Sequence, residues 1–231
     1  MNAGTELYQT WHTDRAAENA MGDSHTPMWR HFISLVPEID LSTLAVLDFG
    51  CNQGGFLRLL YALRPFRYGA GVDIAQESID VARERSRDLP IEFAATTSLE
   101  RWYGRIDRAF SYEVIYLLPD LEAHAREIKR TLRPGGIYYA VTGCHTASPL
   151  WPAWRTLIAA NSNAPVQDYA PEDYAAAFAA AGFDISFKRF GYDDFVPAGK
   201  DKAYYPRLTD AFDYPNRDKL LFRCALPSGA N

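Results

Sequence analysis

From Leu44 onward the chain alternates between two hydrophobic periods. The short apolar runs "LAVLDF", "YGAGVDI", "IEFAAT", "IDRAFSYEV" and "IYYAVTG" read as strands. Between them lie stretches with the 3.6-residue repeat of a helix: "GFLRLLYALR", "AQESIDVARERSRD" with Ile79 and Ala82 facing inward, and "PDLEAHAREIKRTL" with Pro119 at its start. "RPGG" stops the last of these. Such alternation, with near-continuous apolar strands, predicts a mostly parallel sheet covered by helices on both faces. The rhythm then changes. Residues 144–167 are irregular to helical and rich in tryptophan, and "APEDYAAAFAAAGF" is a helix opened by Pro171 and closed by Gly182. "DISFKRFGYDDF" and "KLLFRCAL" are strands with no helix between them, so they are expected to pair antiparallel.

Residues 1–43 precede the first strand and read as helical or irregular cover of the same domain, with Tyr8, Trp11 and Trp29 as apolar anchors. The main domain is expected over 44–231. Its stretch 197–217 is long for a strand connection, a length that marks lids and binding loops, although aromatic packing accounts for it equally.

Composition narrows the class. The chain has 231 residues, 48% hydrophobic and 23% charged, enough to bury a core without staples. A net charge of −5, with its densest basic run "RERSRD" interrupted by acids, argues against a nucleic-acid partner. No apolar run reaches the length of a membrane span, and the polar start lacks the pattern of a signal peptide. Three widely spaced cysteines give no metal pattern and are expected as reduced thiols of a cytoplasmic protein.

The chemistry concentrates in "VLDFGCNQGG". An apolar strand ends in Asp48, and a turn of small residues leads into a helix. In doubly wound sheets, ligands bind beyond the carboxyl ends of the strands where strand order reverses. Gly50 and Gly54 let backbone approach a ligand closely, and Asn52 tolerates the left-handed conformation a third glycine would supply. The spacing does not fit the dinucleotide fingerprint, and Asp48 would repel a pyrophosphate while suiting a cationic ligand. Asp73, about twenty residues on, stands where an acid meets ribose hydroxyls. The ligand implied has a nucleoside and a cationic end.

These residues resemble the first motif of the class I S-adenosylmethionine-dependent methyltransferases, whose usual form is D-x-G-C-G-x-G. "GVDIAQESIDVAR", "RIDRAFSYEVIYLLPD" and "LRPGGIYYAVTG" are similar to that family's second-, fourth- and fifth-strand motifs, in the same order, over about Leu44 to Gly143. The resemblance implies a Rossmann-like seven-stranded α/β sheet, mostly parallel with its last strand antiparallel. It also implies S-adenosylmethionine as cofactor and S-adenosylhomocysteine as product. Asp48, Gly50 and Gly54 would line the methionine end, with backbone from Cys51 and Asn52. Asp73 would hold the ribose and Ile74 would pack on the adenine. Ser98 and Leu99 stand where the family often has an adenine-facing acid, and Ser111 lies near the amino acid moiety. Leu117 occupies a frequent histidine position, so no catalytic histidine transfers there.

The acceptor side is less defined. His145, after the fifth strand, and Tyr116 are candidate bases. Tyr8, Trp11, Trp29, Trp151, Tyr204 and Tyr205 are candidate substrate contacts. Glu113 reads as structural, Cys51 as packing and His124 as a surface residue of its helix. Neither the clustered acids of metal-using relatives nor the N/D-P-P-Y motif of nucleic-acid enzymes follows the fourth strand. The expected function is metal-independent, in-line methyl transfer to an oxygen or nitrogen of a small molecule. The alternative is a methyltransferase-like cofactor-binding or scaffold subunit without turnover. No oligomeric state is implied.

Overall fold

The computed structural model describes residues 10–12, 15–198 and 202–228. Seven strands form one sheet: β1 (Leu41–Phe49), β2 (Phe66–Asp73), β3 (Ile91–Ala95), β4 (Ile106–Tyr112), β5 (Leu132–Thr142), β6 (Asp184–Arg189) and β7 (Leu220–Ala225). Their order is β3-β2-β1-β4-β5-β7-β6. β7 enters between β5 and β6 and pairs antiparallel with both, while the pairs from β3 to β5 are parallel. The helices are α1 (Arg15–Leu35), α2 (Gly55–Leu63), α3 (Gln76–Arg85), α4 (Leu121–Thr131), α5 (Trp151–Asn161), α6 (Pro171–Ala180) and the short α7 (Leu208–Asp213).

The two-residue period of the strands divides the core in two. Leu47, Ala109 and Tyr138 face one cluster, which α4, α5 and α6 cover. Their chain neighbours Val46, Phe110 and Tyr139 face the other, covered by α1, α2 and α3. A strand buried on both faces has no solvated positions, which is why the sequence runs are nearly continuous in apolar residues. α1 supplies Phe32, Ile33 and Val36 to the second cluster, with Phe32 stacked on Phe56 of α2 at 5.4 Å. β6 lies at the sheet's edge, mostly exposed, and carries Lys188 and Arg189, charges that disfavour pairing with another edge.

Three local expectations need correction. β1 begins at Leu41, inside the stretch read as cover. α4 begins at Leu121 because Asp120 caps it, accepting a hydrogen bond from the Ala123 N–H at 2.8 Å, so Pro119 lies outside the helix. His124 is buried, not on the surface. It occupies the inner stripe of α4 with Leu121, Ala125 and Ile128, against Phe49 at 4.4 Å and Phe178 at 5.9 Å between ring centroids. Its Nε2 meets the Tyr138 hydroxyl at 3.2 Å. One polar partner is enough to place an imidazole inside, and periodicity alone does not reveal that partner.

Burial lowers the His124 pKa from 6.5 to about 3. Below pH 6.5 the unfolded chain takes up a proton that the folded chain refuses until about pH 3, so this residue erodes stability as pH falls through that window. His124→Leu is expected to shrink the stability difference between pH 7 and pH 5 by about 2 kcal/mol, measured from urea unfolding at the two pH values.

Candidate cofactor and acceptor site

Strand order reverses between β1 and β4, which places the turn after β1 at the crevice of the sheet. Three residues of that turn have left-handed backbone: Gly50 at φ +76°, Asn52 at +45° and Gly54 at +71°. Asn52 therefore does there what a glycine would. The Gly50 and Cys51 N–H groups both donate to the Val72 carbonyl, at 2.8 and 3.0 Å, and tie the turn to β2. A side chain at Gly50 would collide with Val114, and one at Gly54 with the ring of Phe93. A side chain at Gly55 would meet Trp29 of α1, so this tryptophan packs on the start of α2.

Asp73 ends β2 with its carboxylate turned back on the turn. It accepts from the Asn52 N–H at 2.8 Å and the Ala75 N–H at 2.9 Å, one on each oxygen. A carboxylate has about four acceptor sites and takes hydroxyls as well as backbone N–H groups. Asp48 is buried at the end of β1, and burial together with the nearby Asp73 pushes its pKa well above the ordinary range. A buried carboxylate in this state is relieved by a cation placed beside it. Cys51 is buried as well, and burial, Asp73 and Asp48 raise its thiol well above 9, which leaves it a packing residue. Ser111, deep in β4, holds a buried hydroxyl with no hydrogen-bond partner among the described residues. Ile74 is half-buried beside Asp73, and Ser98 is exposed, its hydroxyl accepting from the Glu100 N–H at 3.3 Å. Leu99 is buried in the core beside Trp102. The turn, the orphan hydroxyl and the two carboxylates fit a ligand with a nucleoside and a cationic end.

The acceptor side lies beyond the carboxyl ends of β4 and β5. Glu113 directly follows β4 and has a left-handed backbone of φ +55°. Its carboxylate receives four donors. Lys219 Nζ at 3.0 Å and the Tyr214 hydroxyl at 2.9 Å reach Oε1, while the Thr142 hydroxyl and the Gly143 N–H, each at 3.2 Å, reach Oε2. Burial opposes its charge, but Lys219 and the other donors hold its pKa below the usual range. Lys219 also donates to the Tyr112 hydroxyl at 2.6 Å and sits against the rings of Tyr112, Tyr214 and Phe190. Sequence reasoning weighed Glu113 as structural, which its four donors support, and missed Lys219 and Tyr112. The one signal was a lysine opening an apolar strand, and its partner lies more than a hundred residues away.

His145 is buried, and its Nε2–H donates to the Asp218 carbonyl at 2.7 Å, which leaves Nδ1 as a lone-pair nitrogen without a partner among the described residues. Tyr116 is buried against Trp151 at 5.9 Å, and burial raises its phenol well above 10, so it stays protonated and suits a donor rather than a base. Trp151 is committed to packing and to a hydrogen bond to Asp168 at 2.9 Å. Tyr204 and Tyr205 stand edge-on to Trp154 at 5.2 and 5.3 Å. Trp11 is held near the end of α5, its carbonyl accepting from the Asn163 N–H at 2.9 Å. Tyr8 lies outside the described residues.

This strand order, with β7 antiparallel, is a fold shared with solved methyltransferase structures. Residues 47–140 match the family described as "Methyltransferase domain". The chain is 28% identical over 137 residues to the fatty-acid O-methyltransferase of Mycolicibacterium smegmatis, a match covering 58% of this chain and 48% of that protein. It is 32% identical over 117 residues to the trans-aconitate 2-methyltransferase of an Azoarcus species, covering 50% and 44%. The chain thus spans about half the length of these curated relatives. Among solved structures, a chain of the complex between the Haloferax volcanii Trm112 methyltransferase activator and a methyltransferase aligns with a TM-score of 0.75. It is 21% identical and is matched over 92% of this chain and 95% of its own, a likeness of fold. Residues 47–140 are thus similar to a methyltransferase domain, and both of these matching relatives are methyltransferases by name. No helix among the described residues is long and apolar enough to cross a membrane.

Gly50→Ala is expected to destabilise the fold by roughly 1–3 kcal/mol, through the left-handed backbone and the collision with Val114. Asn52→Gly, at a comparable φ with no such cost, is expected to stay within about 1 kcal/mol of the parent. Chemical denaturation of the two variants checks both.

Proposed function

We propose that the chain transfers the methyl group of S-adenosylmethionine, in line, to an oxygen or nitrogen of a small molecule. The observation that carries this reading is the turn Gly50–Gly54 at the reversal of strand order, with buried Asp48 and strand-end Asp73 beside it. Asp48 would face the cationic methionine end, Ser111 its amino acid moiety, and Asp73 the ribose hydroxyls, with Ile74, Ser98 and Leu99 on the adenine side. The names of both curated relatives specify small acceptors, a fatty acid and trans-aconitate.

S-adenosylmethionine, when bound, supplies a methyl group on a sulfonium that is already a good leaving group. The protein's share is to align the acceptor and keep water out, and such positioning contributes up to roughly 7–11 kcal/mol. The half-buried rings of Trp11, Trp29, Tyr204 and Tyr205 are the candidate walls, and 202–217, the described part of the stretch 197–217 apart from its first two residues, is the candidate lid; 199–201 lie outside the described residues. If the acceptor is a hydroxyl, His145 Nδ1 is the nitrogen able to take its proton, because Nε2 is committed to Asp218. Tyr116 serves as a donor.

Isothermal titration with S-adenosylhomocysteine is expected to give micromolar binding, weakened roughly 10–100-fold in Asp73→Asn, which keeps an acceptor oxygen for the turn but loses the charge. Absence of binding to the parent chain overturns the reading. On a hydroxyl acceptor, His145→Ala is expected to lower turnover by ~10²–10⁴-fold, and unchanged turnover removes the base role.

A further inference from the structure

The hydrogen bonds at the end of β4 leave one group uncommitted. Tyr112 accepts at its hydroxyl oxygen from Lys219, a charged ammonium with no acceptor to offer in return. That is the hydroxyl's one hydrogen bond among the described residues, so its own proton has no acceptor among them. Burial pushes the phenol up to about 12, so the proton is present at neutral pH. The ammonium withdraws density from the oxygen and strengthens the O–H as a donor. Glu113 cannot take this proton, since its two oxygens already receive four donors. The His25 ring lies edge-on to Tyr112 at 5.6 Å and makes no hydrogen bond among the described residues. Burial, then Lys219, lower its pKa to about 4, so it adds no charge at neutral pH. The half-buried Tyr112 thus offers a polarised donor beside an internally neutralised ion pair, next to the cofactor turn that Val114 packs against.

A donor that must be satisfied selects for an acceptor oxygen with lone pairs to spare. A neutral amine held this way would have its attacking lone pair masked. A carboxylate has two oxygens, so one can be held while the other reacts. Resting on the methyltransferase reading above, we propose that the acceptor is a carboxylic acid, one oxygen of which is held by the Tyr112 hydroxyl. Lys219 is the positioning residue behind Tyr112. The second oxygen forms the new C–O bond as the methyl–sulfur bond breaks. The sulfur keeps the electron pair and becomes a neutral thioether, and the other product is a methyl ester. No proton moves, so a carboxylate needs no base.

The test is calorimetric and uses the full chain. S-adenosylhomocysteine is titrated first, and its failure to bind overturns the methyltransferase reading together with this one. The loaded protein is then titrated with decanoate, benzoate and fumarate, and with decanol and decylamine as controls. At least one acid is expected to bind, and decanol and decylamine to bind at least ~10-fold more weakly than it. Tyr112→Phe is expected to weaken that acid by roughly 10–100-fold while leaving S-adenosylhomocysteine affinity unchanged. Acids that do not bind, that bind no better than the alcohol or amine, or that bind the variant equally overturn the proposal and leave the methyltransferase reading standing. If Tyr112→Phe does not fold, Glu113→Gln/Lys219→Met removes both charges together, and an unchanged acid affinity in it counts against the proposal in the same way.

Discussion

One half-buried carboxylate ties several elements together. Glu113 directly follows β4, and its four donors come from the end of β5 and the residue after it, from the turn that follows α7 and from the residue that precedes β7. Removing one partner of such a pair costs roughly 3–5 kcal/mol, because the other charge is then buried alone. The left-handed backbone at Glu113 is a local cost, sustained because the surrounding structure over-determines it. The next residue, Val114, fills the space against Gly50 that a side chain there would occupy. The turn after β1 and the cluster around Lys219 are therefore braced by two consecutive residues.

The two halves of the site use charge in opposite ways. On the candidate cofactor side, burial and then the nearby Asp73 raise the pKa of Asp48. That arrangement is unfavourable until a positive ligand arrives. On the candidate acceptor side, Glu113 and Lys219 cancel within the protein, and Lys219 also donates to the Tyr112 hydroxyl. A preformed charge that awaits a ligand suits a ligand of fixed charge. A neutralised pair behind a donor suits discrimination by hydrogen bonding, where an unmatched group costs more than a matched one gains.

Most of the fold was legible in the chain, because a sheet buried on both faces writes itself as apolar runs and its covering helices as stripes. The cofactor turn was legible for a different reason. Left-handed backbone restricts residue type, so Gly50, Asn52 and Gly54 carry their geometry in their identity. The acceptor side was not. Lys219 could be read as an ordinary charge at a strand's start, and His124 as an ordinary surface residue of a helix. Each is buried because of a partner distant in sequence, the pair at Glu113 for one and Tyr138 for the other. Local patterns record which residues tolerate a conformation, but not which residues meet across the fold.

The direction of β7 has a consequence for how the site is assembled. Its neighbours reach the crevice with their last residues, whereas an antiparallel strand reaches it with its first. Lys219 can therefore stand beside Tyr112 although 107 positions separate them. Closing so long a loop is slow relative to local contacts. The cofactor turn can form from β1 and β2 alone, while the acceptor side waits for the final strand to insert between two others. Any species cut short before Lys219 would keep the donor's cradle and lack the acceptor's.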